Sequence, residues 1–438
     1  MKDYNTLFTK DFFFFSFLIL VCFLPYFGYS AALVIIFCSV FLWDKFSIVP
    51  LTSLLLIRTL SPGITEISDI NSILNWGLLL FCLLRFFFYS VFVIPLKWSQ
   101  LLKLNLFFCV VALFSSYIGT DFFYISVLKL FTYFLMSHFI LFYFKNGIVD
   151  LNRSKVTLIS FLNVILISSF IVKGIPAISF ARDGVGFQGI LNHPQGLGII
   201  IGSYCGLLCN KLLTDKDFRW YDFFLFILSL TAVYLSGART GVISIFVAYL
   251  IAVLFRFIFN VNISNRLVRR SILFGAPVVL LLSFFGSTVV KDYFLKNSES
   301  EDVSGALLVS RGFLIEESME NIRNNFYFGI GFGIAKSPSK GFSPIKTGGF
   351  IMSAPTEKPN LLLAVLEEVG IFSFLLFLIF TIYLIKDMLS NPNENFFAFG
   401  GLTAISTNIS EMTFFSMGAL GLFVWLMIAP ALKMENSA

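Results

Sequence analysis

Apolar runs long enough, or nearly long enough, to cross a hydrocarbon core recur along this chain. They begin near Phe12, Phe27, Ile48, Ile73, Leu104, Phe122, Val156, Leu191, Trp220, Val242, Ile272, Leu361, Phe397 and Met412. Few folds are open to a chain with about 14 such runs, because lipid offers no partner for a main-chain N–H or C=O. Each run must satisfy its own polar groups, and at this length it does so as a helix. The runs at Ile48, Phe397 and Met412 are short or poorly bounded, so about 12 to 14 spans are expected. Composition agrees: 58% of residues are hydrophobic and 13% charged, and mean hydropathy is +0.89. The 58 phenylalanines are spread through many segments, which suits a lipid-facing bundle better than a soluble domain with one anchor. The expected fold is an all-α, polytopic integral membrane protein in three parts: helices over 1–290, a large polar loop region over 291–360, and C-terminal helices over 361–438.

The net charge of +6 would suit a nucleic-acid binder, but the basic residues form no stripe interleaved with exposed aromatics. Topology explains them instead, and no nucleic acid is expected as a partner. Alternate connections carry Lys45; Lys97 and Lys103; Lys145, Arg153 and Lys155; Lys211, Lys216 and Arg219; Arg256, Arg266, Arg269 and Arg270; and finally Lys386 and Lys433. Positive loops stay in the cytoplasm, so both termini are expected there. Met1 to Asp11 is polar and leads into an apolar run with no A-x-A-like cleavage site, which predicts a retained first helix. The six cysteines lie inside apolar runs without a C-x-x-C pair and read as packing residues.

The stretch from Lys291 to Asn360 falls on the outer side by this count. It holds eight acidic and eight basic residues, a balance that suits a folded loop better than a polyelectrolyte tail. Within it, Val309 to Asn325 spaces Phe313, Ile315, Met319 and Ile322 at helical intervals against acidic neighbours, which predicts an amphipathic helix at the membrane surface.

Three arginines sit where topology requires no positive charge: Arg182, Arg239 in Ser236-Gly-Ala-Arg-Thr-Gly241, and Arg311. A guanidinium presents a fork of donors that fits phosphate oxygens, so arginines converging beside a membrane suit an anionic head group. The alternative is pairing with a nearby acid, as Arg182 could with Asp183. His138 lies in an apolar helix and reads as a packing residue. His193, in Leu191-Asn-His-Pro-Gln195, stands at the outer start of a helix, where it and Gln195 could cap the helix or contact a sugar or phosphate. Arg85 and Lys129 are costly in lipid and should face the bundle interior or snorkel. Asn325-Phe-Tyr-Phe-Gly-Ile-Gly-Phe-Gly333 lacks G-x-G-x-x-G spacing and a βαβ context; such glycines can make a tight turn or admit close backbone approach. Glu357 and Lys358 precede the next helix, and Glu367 and Glu368 lie inside it. A carboxylate at that depth needs a partner, so Glu368 should meet an arginine or a hydrogen-bond cluster, while Glu357 is a general base or a surface charge.

In this order the segments resemble the O-antigen polymerase and O-antigen ligase superfamily of bacterial envelope glycosyltransferases. Ser236 to Gly241 is similar to its S-x-S/A-R-T/G-G signature. Arg311 to Gly333 is similar to its S/T-R followed by GIGFG, and Asn360 to Gly370 to its N-x-x-L…E-x-G helix. The likeness covers about Phe180 to Phe380. It implies a membrane glycosyltransferase of GT-C-like architecture, with no nucleotide-sugar site and no required metal or other cofactor. Such an enzyme sits in the bacterial inner membrane and works at the periplasmic face. Its donor is an undecaprenyl-diphosphate-linked glycan, its acceptor a second glycan, and its further partner a chain-length regulator protein. By the resemblance Arg239 and Arg311, with Arg182, grip the diphosphate, and Glu357 or Lys358 stands in for the missing imidazole, the carboxylate being the better proton acceptor. His193, Gln195, Lys358 and Asn360 are expected to bind substrate, and Glu357 or Glu368 to take the acceptor proton. Pro359 stands where ligases carry His before the Asn, which favours a polymerase over a ligase. A flippase is the alternative from another class, although the two-halved symmetry common in transporters is not visible.

Overall fold

The computed structural model describes residues 8–43, 47–65, 69–93, 98–181, 186–214, 219–259, 303–334, 345–347, 350–353, 358, 360–390, 395–416 and 418–433. These residues are overwhelmingly helical. The helices are α1 (Lys10–Cys22), α2 (Gly28–Leu42), α3 (Val49–Thr59), α4 (Asp69–Val93), α5 (Gln100–Gly119), α6 (Phe123–Lys145), α7 (Leu151–Ile171) and α8 (Pro176–Ser179). They continue with α9 (Pro194–Thr214), α10 (Trp220–Ser236), α11 (Arg239–Phe259), α12 (Val303–Asn324), α13 (Leu361–Leu389), α14 (Asn395–Ser406) and α15 (Ala419–Ile428). Five helices among the described residues are long and apolar enough to cross a membrane: α5, α6, α7 with its 3-10 extension to Gly174, α11 and α13. The run that starts at Ile272 lies outside the described residues. A two-stranded antiparallel hairpin, β1 (Ile345–Thr347) with β2 (Phe350–Ser353), adds to the helices expected from the sequence and pairs Thr347 with Phe350.

Not every apolar run spans by itself. The 11 residues of α3 rise only about 16 Å, half a hydrocarbon core, and nearly all are buried. Protein surrounds this half-helix, and its end is tied by Ser61 N–H to Ile190 O at 2.8 Å and Asn192 N–H to Thr59 O at 2.7 Å. Irregular backbone at such depth is tolerable because protein groups meet its polar atoms.

The central helix is α9, which touches α10, α11 and α14. Gly198, Gly202 and Gly206 recur every four residues and form one small-residue stripe. A methyl added at Gly198 would come within 2.3 Å of the Ala238 Cβ, at Gly202 within 3.1 Å of Gly241 backbone, and at Gly206 within 2.2 Å of the Thr403 Oγ1. Backbone approach of this kind replaces the hydrophobic drive that lipid removes.

Charged groups collect at one end of the bundle. Asp11 pairs with Arg153 at 2.6 Å, Lys145 with Asp387 at 2.9 Å, and Lys211 with Asp222 at 2.7 Å. Lys145 Nζ also donates to Lys433 O at 2.8 Å, so the two described ends of the chain share that end of the bundle. His138 is buried and stacks on Phe134 at 4.7 Å, as a packing residue should.

A candidate active site at a break in the long helix

The opposite end of the bundle is organised by an interruption in α13. Gly370 has φ 70° and ψ −178°, so Leu361–Val369 and Ile371–Leu389 are two helical segments on either side of a break. In a continuous helix Glu367 O would accept from Ile371 N–H. Here Ile371 N–H donates to Phe326 O at 3.0 Å, while Glu367 O and Glu368 O accept from Ile330 N–H at 3.0 Å and Gly331 N–H at 2.8 Å. The loop after α12 thus supplies the hydrogen bonds that the helix gives up, which is what allows an open backbone at membrane depth.

Glycine is required on both sides of this joint. A Cβ at Gly329, whose φ is +71°, would stand 2.4 Å from the Glu368 carbonyl, and one at Gly370 would stand 2.2 Å from Tyr327 O. The glycine-rich segment therefore makes close backbone approaches, but its partner is a helix of the same chain. Phe332 anchors it: its N–H donates to Ser116 Oγ at 2.9 Å, and its ring packs 5.2 Å from Phe415 and 6.1 Å from Tyr133.

The two acidic side chains at the break do different things. Glu367 pairs with Lys358 at 2.7 Å and accepts from Ser318 Oγ at 2.7 Å and Asn321 Nδ2 at 2.8 Å, with both charged side chains no more than 4% exposed. The hydrogen-bond cluster expected around Glu368 forms on its neighbour Glu367, while Glu368 feels the charges of Lys358 and Lys129. Glu368 itself is 1% exposed and accepts from Gly333 N–H at 2.7 Å, while Lys129, from α6, donates to Gly333 O. One residue of the loop is thus bracketed by opposite charges from two helices.

Residues of α12 complete this cluster. The helix starts earlier than the expected Val309, and the face it turns to the protein carries Ser318, Asn321 and Ile322, whereas Phe313 is exposed. Arg311 lies in the same helix. Asn360 caps α13, its Oδ1 accepting from Leu363 N–H at 2.9 Å.

Arg239 opens α11 after a tight turn in which Gly237 takes φ 62° and Ala238 N–H donates to Ser236 Oγ at 3.2 Å. The contacts of Gly198 with Ala238 and of Gly202 with Gly241 set the starts of α9 and α11 side by side and parallel. Two helix N-termini then face the same end, where the positive pole of each helix favours an anion. His193 Nδ1 accepts from Gln195 N–H at 3.1 Å at the start of α9, and both residues are exposed there. Thr240 Oγ1 meets Ser410 Oγ at 2.5 Å, and the adjoining 3-10 turn Thr407–Ile409 contacts both α11 and α13.

The structure thus gathers Arg239, His193 and Gln195 at one mouth and Lys358, Asn360, Glu367 and Glu368 at the break, with one turn touching the helices of both groups. Arg182 and Glu357 lie outside the described residues. Sequence reasoning missed the break and the role of Glu367; two acids followed by Gly370 inside an apolar run were the available signal.

A predominantly helical, multi-pass membrane protein with a polar site where a broken helix meets an inserted loop is the class these features define. Residues 224–378 match the family described as O-antigen ligase, which supports a likeness of this part of the chain to the O-antigen polymerase and ligase superfamily. The match contains Arg239, Arg311, the glycine-rich loop and the break at Gly370. It gives no support to the flippase reading. No curated protein matches the chain.

Proposed function

We propose that this protein polymerises undecaprenyl-diphosphate-linked oligosaccharide repeat units at the periplasmic face of a bacterial inner membrane, yielding O-antigen or exopolysaccharide. The observation that carries this reading is the family match over 224–378, which spans the arginine turn, the Arg311 helix and the break. The charged end of the bundle, with Lys145, Arg153 and Lys211, is then cytoplasmic, and the break faces the periplasm.

In the proposed reaction an acceptor hydroxyl oxygen attacks the anomeric carbon of the donor sugar. The bond from that carbon to the diphosphate oxygen breaks, and undecaprenyl diphosphate leaves with the electron pair. Arg239 and Arg311, with Arg182, neutralise the charge that grows on the leaving group, aided by the paired N-termini of α9 and α11. His193 and Gln195 contact the sugar or phosphate at this mouth. The hydroxyl proton passes to a carboxylate. Glu368 is buried and bonded to Gly333 N–H, so we assign the base to Glu357, the sequence neighbour of Lys358. Lys358 is held by Glu367 and Asn360 caps α13, so both support the framework of the site. The reaction as written uses no metal ion.

A second reading, transfer of a finished chain to lipid A core, is favoured by the family's description as ligase; Pro359 favours polymerisation. Glycan analysis of a deletion strain separates them. Loss of a polymerase leaves single repeat units on the acceptor, whereas loss of a ligase leaves full-length chains on the carrier. Unchanged glycans in that strain would refute both.

A further inference from the structure

The buried carboxylate of Glu367 connects three segments that are far apart in sequence. Lys358 comes from the connection before α13, Glu367 from the segment above the break, and Ser318 and Asn321 from α12. A lone surface helix would not need such a tie. An interior ion pair with two further donors is an expensive way to attach a helix, because each group must be stripped of water and fully re-bonded. Apolar contacts would attach it as firmly, but without fixing its rotation or its height along α13. What the polar cluster adds is register: three directional hydrogen bonds to one carboxylate admit one setting of the helix.

Arg311 shares that helix with Ser318 and precedes it by seven residues, two turns, so it lies about 10 Å along the axis on the same side. We propose that Glu367 is a positioning residue. By gathering Lys358, Ser318 and Asn321 it sets the register of α12 against α13 and thereby the position along the helix from which Arg311 acts on the leaving diphosphate. This rests on the polymerase reading and adds to it a residue that touches no substrate. An arginine that must meet developing charge loses much of its effect when displaced by an ångström, so loosening the tie lowers turnover more than affinity.

The test is a double-mutant cycle on the full chain in lipid nanodiscs, with a synthetic undecaprenyl-diphosphate-linked repeat unit as donor and acceptor. Ser318→Ala removes one donor to Glu367 and leaves its pair with Lys358; Asn321→Ala does the same from the next turn and serves if the first variant fails to fold. Each should lower kcat about tenfold with little change in KM. Combined with Arg311→Ala, each should lower activity no further than Arg311→Ala alone, because the tie acts through that arginine. A merely structural role would give losses that multiply. Wild-type kcat in both single variants, or multiplicative losses in the doubles, would overturn the proposal while the polymerase reading stood. No product from the wild-type chain, or full activity in Arg311→Ala, would overturn the assignment of the site and this proposal with it.

Discussion

Replacing Lys358 by Met tests how much the break depends on its ion pair. The Nζ lies 2.7 Å from a Glu367 oxygen, and the two side chains are 4% and 2% exposed. Removing the ammonium leaves a carboxylate with no water to replace it, and breaking a buried pair in this way costs about 3–5 kcal/mol. Ser318 and Asn321 still donate to the carboxylate in the variant, so the lower end, about 3 kcal/mol, is expected. Adding Glu367→Gln removes the orphaned charge and keeps an acceptor for Ser318, which should bring the net loss to about 1 kcal/mol. The second substitution should thus restore about 2 kcal/mol of the stability lost. The assay is the half-life of folded protein in detergent at a fixed temperature, read by fluorescence-detected gel filtration. Because each 1.4 kcal/mol is about tenfold, Lys358→Met should shorten it by about a hundredfold if the pair is absent from the unfolding transition state, and the double variant should recover most of that. A wild-type half-life in the single variant, or a double variant that loses the sum of its parts, would show that the pair does not hold the break.

Gly329→Ala places a Cβ 2.4 Å from the Glu368 backbone at a φ of +71°. About 1–2 kcal/mol of conformational strain plus a clash with unyielding main chain should undock the loop, seen as protease cleavage near Phe326. Gly206→Val drives a side chain into Thr403, whose Oγ1 would lie 2.2 Å from the added Cβ, and should cost about 1–3 kcal/mol of stability on the same half-life assay. Arg239→Ala should lower turnover about a hundredfold with normal insertion, and Arg239→Lys should restore only part, because an ammonium keeps the charge but loses the fork. Glu357→Gln should abolish transfer while Glu368→Gln chiefly shortens the half-life; the reverse pattern in paired activity and stability measurements would exchange the two roles.

The membrane class and most of the helices were legible because apolar length is a strong signal in lipid, where backbone satisfaction leaves little choice. Twelve of the 14 run starts fall on described helices or within three residues of one; Met412 precedes α15 by seven residues, and Ile272 lies outside the described residues. Hydropathy marked the Ile48 run as short, but it could not report that α3 is a half-helix enclosed by protein, since buried and lipid-facing helices are equally apolar. It could not choose between Glu367 and Glu368 either, because the break at Gly370 changes which carboxylate faces α12. The Gly198-Gly202-Gly206 stripe was present in the sequence, but it identifies a packing face only once α10, α11 and α14 are known to surround it. For the glycine-rich loop a tight turn was foreseen; its docking partner, a gap in another helix, has no local signature. The arginine turn could be singled out because Arg239 has no acid in its own segment, whereas the pairing of Lys358 with Glu367, nine residues on, has no local signature.

The most direct test of the central claim is product length. Purified wild-type protein in nanodiscs, given only synthetic undecaprenyl-diphosphate-linked repeat units, should convert them to a ladder of carrier-linked oligomers resolved by gel or mass spectrometry, and Arg239→Ala should leave single units. Intact single units after incubation with folded wild-type protein, with lipid A core acceptor absent or present, would contradict the account.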